Sequence, residues 1–141
     1  MKKKKVYLSG KMKGLSREEY MKIFHRAEME MTHAGYWVVS PIRFWPCKWK
    51  WVYPTMEKFL GVRLTYTIVL LYDLWRLSKC EYIYKIPGWN GSRGALTEGA
   101  WAFHSGIKLV PVKKRSSIDK RMAMFVEKIL SKPTEIKDAT V

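Results

Sequence analysis

With 141 residues, 48% of them hydrophobic and 28% charged, the chain can build one real core and fits the size of one domain. Its 27 Lys and Arg against 12 Asp and Glu give a formal net charge of +15, which favours anionic partners: nucleic acid, nucleotides or acidic surfaces. Cys47 and Cys80 have neither CxxC nor histidine spacing, so neither a zinc site nor a disulfide framework is expected and both read as reduced thiols of a cytoplasmic protein. The stretch VYLSGKMKG after Lys2 to Lys5 lacks the apolar segment of a signal peptide, and TIVLLY at 67–72 is too short to span a bilayer. Secretion and membrane insertion are not expected.

A first strand over Val6–Ser9 runs into a glycine-bearing loop, GKMKG. Ser16 with Glu19 three residues on is a capping box, and it opens a helix over 17–33 whose apolar positions Tyr20, Ile23, Phe24, Ala27 and Met31 recur at spacings of three and four. Gly35 stands where a C-cap belongs. YWVVSP is a second strand, closed by Pro41, and IRFWPCKWKWVYP at 42–54 reads as an aromatic, basic loop. Residues 55–79 read as helix, broken near Gly61. EYIYKIP is a third strand, GWNGS a turn, 93–105 a helix and IKLVPV a fourth strand; Ser117 caps a last helix to about Leu130, and 132–141 read as a frayed tail.

Strands alternating with helices specify an α/β protein: a single-domain open parallel sheet over 1–141, Rossmann-like or flavodoxin-like, with helices on both faces. In such sheets ligands collect at the carboxyl ends of the strands, where GKMKG, SPIRFWP and PGWNGS emerge. Gly10 and Gly14 allow close backbone approach while Lys11 and Lys13 add positive charge, a cradle for one phosphate that lacks the Walker and GxGxxG spacings. Ser92, Arg93 and Gly94 open the fourth helix, whose free amides and dipole favour an anion. Taken alone, Ser92 reads first as an ordinary N-cap beside a surface arginine.

Glu98 shares a helix face with Gly94, Ala95, Trp101 and Ala102. A carboxylate among such neighbours is costly unless it is ion-paired, hydrogen-bonded to a tyrosine, or used. Asp73, ahead of the third strand, is a second acid. Two carboxylates at one crevice suit cleavage of a glycosidic bond, which needs a nucleophile for the sugar and an acid for the leaving group. His25, His33 and His104 have no metal spacing, and neither metal nor cofactor is called for.

In order along the chain, YLSGKMKG, DLWRLSKCEYIY and SRGALTEGAWAFHSG resemble the three signature segments of the nucleoside 2-deoxyribosyltransferase-like superfamily, in particular its 2'-deoxynucleoside 5'-phosphate N-hydrolase branch. WNGSRGA is also similar to a family of small phage and bacterial proteins within that group. The S-x-G-x-x-x-E spacing from Ser92 to Glu98 is the most specific part. The resemblance implies that Glu98 attacks C1' of the sugar, that Tyr7 orients it, and that Asp73 assists base departure or anchors the sugar. It further implies that Ser9, Gly10, the loop to Gly14 and Ser92 hold a 5'-phosphate, and that the protein is a homo-oligomer. Glu81 stands where the superfamily often has aspartate, and the segment 42–66, with Trp45, Trp49 and Trp51, has no counterpart in the small hydrolases.

The expected activity is therefore an N-glycosidase acting on a nucleoside 5'-monophosphate, or a deoxyribosyltransferase acting on nucleosides, with Trp45 stacking on the base. Burial of Glu98 is expected to be offset by surrounding positive charge and Tyr7, keeping it ionised. A non-catalytic nucleotide-binding module is the alternative. Nonspecific nucleic-acid binding is a third, resting on the net charge and the aromatic, basic segment 42–54.

Overall fold

The computed structural model describes residues 1–44 and 50–111. Trp45, the predicted helix 117–130 and the tail 132–141 lie outside the described residues. Met1–Val110 forms one compact unit. Its elements in chain order are β1 (Lys5–Ser9), α1 (Arg17–His33), β2 (Trp37–Val39), a 3₁₀ turn (Pro41–Arg43), α2 (Val52–Leu60), α3 (Val62–Leu77), β3 (Tyr82–Lys85), a second 3₁₀ turn (Trp89–Gly91), α4 (Arg93–His104) and β4 (Lys108–Leu109).

The sheet is wholly parallel, in the order β2-β1-β3-β4, with Tyr7 opposite Val39 and Ile83, and Ser9 opposite Lys85. Side chains alternate across it. Val6 and Leu8 pack with Phe24, Ala27 and Met31 of α1 on one face; on the other, Tyr7 and Ile83 meet Leu77 of α3 and Ala102 of α4. The α/β architecture with helices on both faces is thus as expected. Because the chain steps from β1 outward to β2 and then back across to β3, the winding reverses between β1 and β3, the place where open parallel sheets take their ligands.

Local signals explain the element ends. Ser16 Oγ accepts from the Glu19 amide at 3.2 Å while the Glu19 carboxylate accepts from the Ser16 amide at 2.7 Å, the reciprocal capping box. Ala34 caps α1, and Gly35, at φ +91°, turns the chain so that the Tyr36 and Gly35 amides close on Met31 and Thr32 carbonyls. Gly61, at φ +80°, separates α2 from α3.

Three expectations are corrected. The segment 42–54 is not all loop: α2 begins at Val52, because Pro54 sits in its first turn, where no amide hydrogen is needed. Of the predicted fourth strand at 107–112, residue 112 lies outside the described residues; within them the strand is Lys108–Leu109, and Pro111 cannot donate to the ladder. Ile23 is 39% exposed, and Glu28 takes the buried place on α1 instead. Arg43 donates to both Glu28 oxygens at 2.9 and 2.7 Å, fastening the turn after β2 to α1. Burial opposes ionisation of Glu28, yet the hydrogen bonds from Arg43 and from His25 hold its carboxyl below the usual range.

Candidate active site

Three elements deliver the site. Alternation along β1 turns Tyr7 and Ser9 toward the helix pair α3 and α4. On α4, Ala95, Glu98 and Ala102 form the buried stripe, and the two alanines, each 2% exposed, let the helix lie close on the sheet. On α3, Thr65, Val69, Asp73 and Leu77 repeat every four residues, which puts Asp73 on the same inward face.

Glu98 is where the three meet. Tyr7 donates its hydroxyl to Oε1 at 2.8 Å and Ser9 donates to Oε2 at 2.5 Å, so each carboxylate oxygen has its own donor. Glu98 is 6% exposed and Asp73 9%. Burial pushes the Glu98 carboxyl up to about 7, against the downward pull of the Ser9 and Tyr7 hydrogen bonds. Burial, reinforced by the charge of Glu98, pushes Asp73 up to about 8. The expectation that positive charge keeps Glu98 ionised is corrected: it is held by two neutral hydroxyl donors, and burial outweighs them.

The arrangement divides labour between two acids. Glu98 has two donors that favour its charged form, whereas the charge of Glu98 opposes ionisation of Asp73. Both carboxyls lie above the usual carboxylate range, so near neutrality the pair retains at least one proton.

Around it lie the other predicted residues, in altered roles. Ser9 is engaged with Glu98. Gly10 is tightly packed: a Cβ there would sit 3.0–3.2 Å from side-chain atoms of Ile86 and Phe24. Gly14, at φ +86°, allows the loop to turn, and Lys13 and Arg93 are exposed. The stem of Lys11 crosses to Gly91, 3.5 Å from where a Cβ would be, joining the loops that follow β1 and β3. Ser92 Oγ accepts from the Ala95 amide at 3.4 Å, the N-cap of α4. Gly94 lies one turn before Glu98 on the same face, about 6 Å along the axis. Tyr66 of α3 closes over it, its hydroxyl 3.5 Å from the position of an added Cβ.

One residue escaped the sequence reading and another is misplaced by it. Lys85, opposite Ser9, runs along α4 with its Nζ 3.9 Å from the Trp89 ring centroid. It passes there because residue 99 is glycine, where a Cβ would stand 3.2 Å from that nitrogen. An i+1 glycine after the one acid of a small-residue helix was the available signal. Trp101, expected on the inward face, is 44% exposed and donates its Nε1 to Ser78 Oγ at 3.0 Å. Among the described residues no group of three His, Cys, Asp or Glu is placed to hold a metal ion, and no helix is long and apolar enough to cross a membrane.

The chain belongs to the DUF4406 family, a domain of unknown function, whose family model matches residues 4–111. Neither the curated proteins nor the solved structures contain a match. The matched span contains every element from β1 to β4 and all four residues of the carboxylate site.

Proposed function

We propose that this member of the DUF4406 family is an N-glycosidase that hydrolyses the base–sugar bond of a nucleoside or deoxynucleoside 5'-monophosphate. The observation that carries the reading is Glu98, buried and held through both oxygens by Tyr7 and Ser9, with Asp73 close enough to feel its charge. The resemblance of the three segments to the nucleoside 2-deoxyribosyltransferase-like superfamily supports it independently.

Glu98 attacks C1' as the C1'–N bond breaks, and the electron pair leaves with the base, which takes the Asp73 proton. The Asp73 carboxylate then accepts a proton from water as the water oxygen attacks C1', releasing the sugar phosphate and restoring both acids. Tyr7 and Ser9 fix the attacking oxygens and give up part of their hydrogen bonding as the charge on Glu98 is consumed. The 5'-phosphate meets the free amides at the start of α4 and the Lys11 ammonium, one helical turn from Glu98, a separation that the sugar itself bridges. An acceptor base in place of water makes the same site a deoxyribosyltransferase.

Self-association belongs to the same proposal. Phe59, Val62 and Leu64, at the junction of α2 and α3, are 78%, 65% and 49% exposed, an apolar surface suited to a second copy. The activity is tested by incubating the full chain with ribo- and deoxynucleoside 5'-monophosphates and with free nucleosides, with and without an acceptor base, and following the base by chromatography. Base release that disappears in Glu98→Ala is expected. Nucleotide binding with no release from any substrate would leave a binding module and overturn the enzymatic reading.

A further inference from the structure

The inward stripe of α3 serves the carboxylate site; its outward side carries a different chemistry. Phe44, Tyr72 and Trp75 form a chain of rings, with centroids 6.2 and 5.7 Å apart. Two cations lie over rings of that chain: the Arg76 guanidinium is 4.0 Å from the Phe44 centroid and the Lys79 ammonium 3.4 Å from that of Trp75. Trp75 is 51% exposed. Trp101 of α4, itself 44% exposed, is tied by its indole hydrogen bond to Ser78, beside Lys79. Trp75 and Arg76 in the last turn of α3 thus adjoin Lys79, just past its C-cap, and Trp101 of α4. Edge-on and tilted ring contacts, cation–ring contacts and the Trp101–Ser78 hydrogen bond hold them, which lowers the ordering cost of binding.

We propose that this face binds single-stranded nucleic acid, with bases stacking on Trp75 and Trp101 and phosphates meeting Arg76 and Lys79. The chemistry selects this partner. Exposed flat rings take unpaired bases of any sequence, and interleaved cations follow the backbone between them. A duplex hides its base faces, and an acidic peptide leaves the indoles in water. A second copy of the chain, docked face to face, brings four cations together. This inference stands apart from the glycosidase reading, since no residue of the face belongs to the carboxylate site.

The test is fluorescence anisotropy of the full chain with a labelled oligothymidylate, and with a duplex of the same length, across a salt titration. The single strand is expected to bind more tightly. Arg76→Ala/Lys79→Ala should lower its affinity tenfold or more and flatten the slope of log affinity against log salt by about 1.4, the value for two phosphate contacts on a single strand. Lys22→Ala/Arg26→Ala removes equal charge from α1, on the other face of the sheet, and should change affinity less than twofold. Trp75→Leu, which keeps an apolar side chain against Tyr72, should weaken the single strand by about fivefold or more. Glu98→Gln should bind like the unmodified chain. Equal losses in the two double variants, a duplex bound as tightly as the strand, or an unchanged affinity in Trp75→Leu would each overturn the proposal.

Discussion

Tyr7→Phe removes one hydroxyl from a packed face and leaves the ring in place, so it isolates what the 2.8 Å hydrogen bond to Glu98 does. A hydrogen bond to a charged group contributes about 1.5–3 kcal/mol, or roughly one to two pKa units. Glu98 starts at about 7. Without Tyr7 it rises to about 8–9, and its ionised fraction at pH 7 falls from about one half to between a tenth and a hundredth. Turnover at pH 7 should therefore fall about 5- to 50-fold. Raising the pH does not restore it fully, because Asp73 loses its proton at about 8, so the profile loses height and its acid limb moves up. The assay is kcat against pH for base release by the two proteins. An acid limb that stays in place, with unchanged kcat at pH 7, would refute the idea that Tyr7 tunes Glu98.

Both raised acids also tax the fold. A carboxyl whose folded value lies above its unfolded one binds more protons folded than unfolded, so its stabilising contribution is complete below about pH 4 and is lost as pH rises through 7 for Glu98 and 8 for Asp73. Glu98→Gln should accordingly be inactive yet more stable, by on the order of 3 kcal/mol at pH 8 and by much less at pH 5, in thermal unfolding at the two pH values; an equal effect at both would mean that Glu98 is not strained by burial. Gly10→Ala should cost about 1–3 kcal/mol, because its methyl meets Ile86 and Phe24 inside van der Waals contact. Denaturant midpoints check this, and a neutral result would return Gly10 to a role in approaching ligand.

Alternating strands and helices were legible because periodicity and caps are local: Ser16 with Glu19, Gly35 and Gly61 mark ends that the structure keeps. Short edge elements were not, since β4 is set by what β3 offers it and by Pro111 rather than by its own apolar run. At the site, Glu98 was legible as an acid in a stripe of small residues, and Tyr7 became its partner through the resemblance. Ser9 is expected on the phosphate through the resemblance alone; alternation along β1 puts it on the same side as Tyr7, and packing of α4 on that side gives it to Glu98. Glu28 was invisible for the same reason, its partner Arg43 lying beyond the next strand.

The central claim is that Glu98 forms a bond to the sugar. A 2'-fluoro-2'-deoxy analogue of the preferred nucleotide, whose fluorine slows loss of the sugar from the carboxylate, should leave one sugar phosphate on the protein. Peptide mass mapping reads its position. The account predicts the added mass on the peptide containing Glu98, and none in Glu98→Gln; an unlabelled protein that still releases base, or a label on another carboxylate, would contradict it.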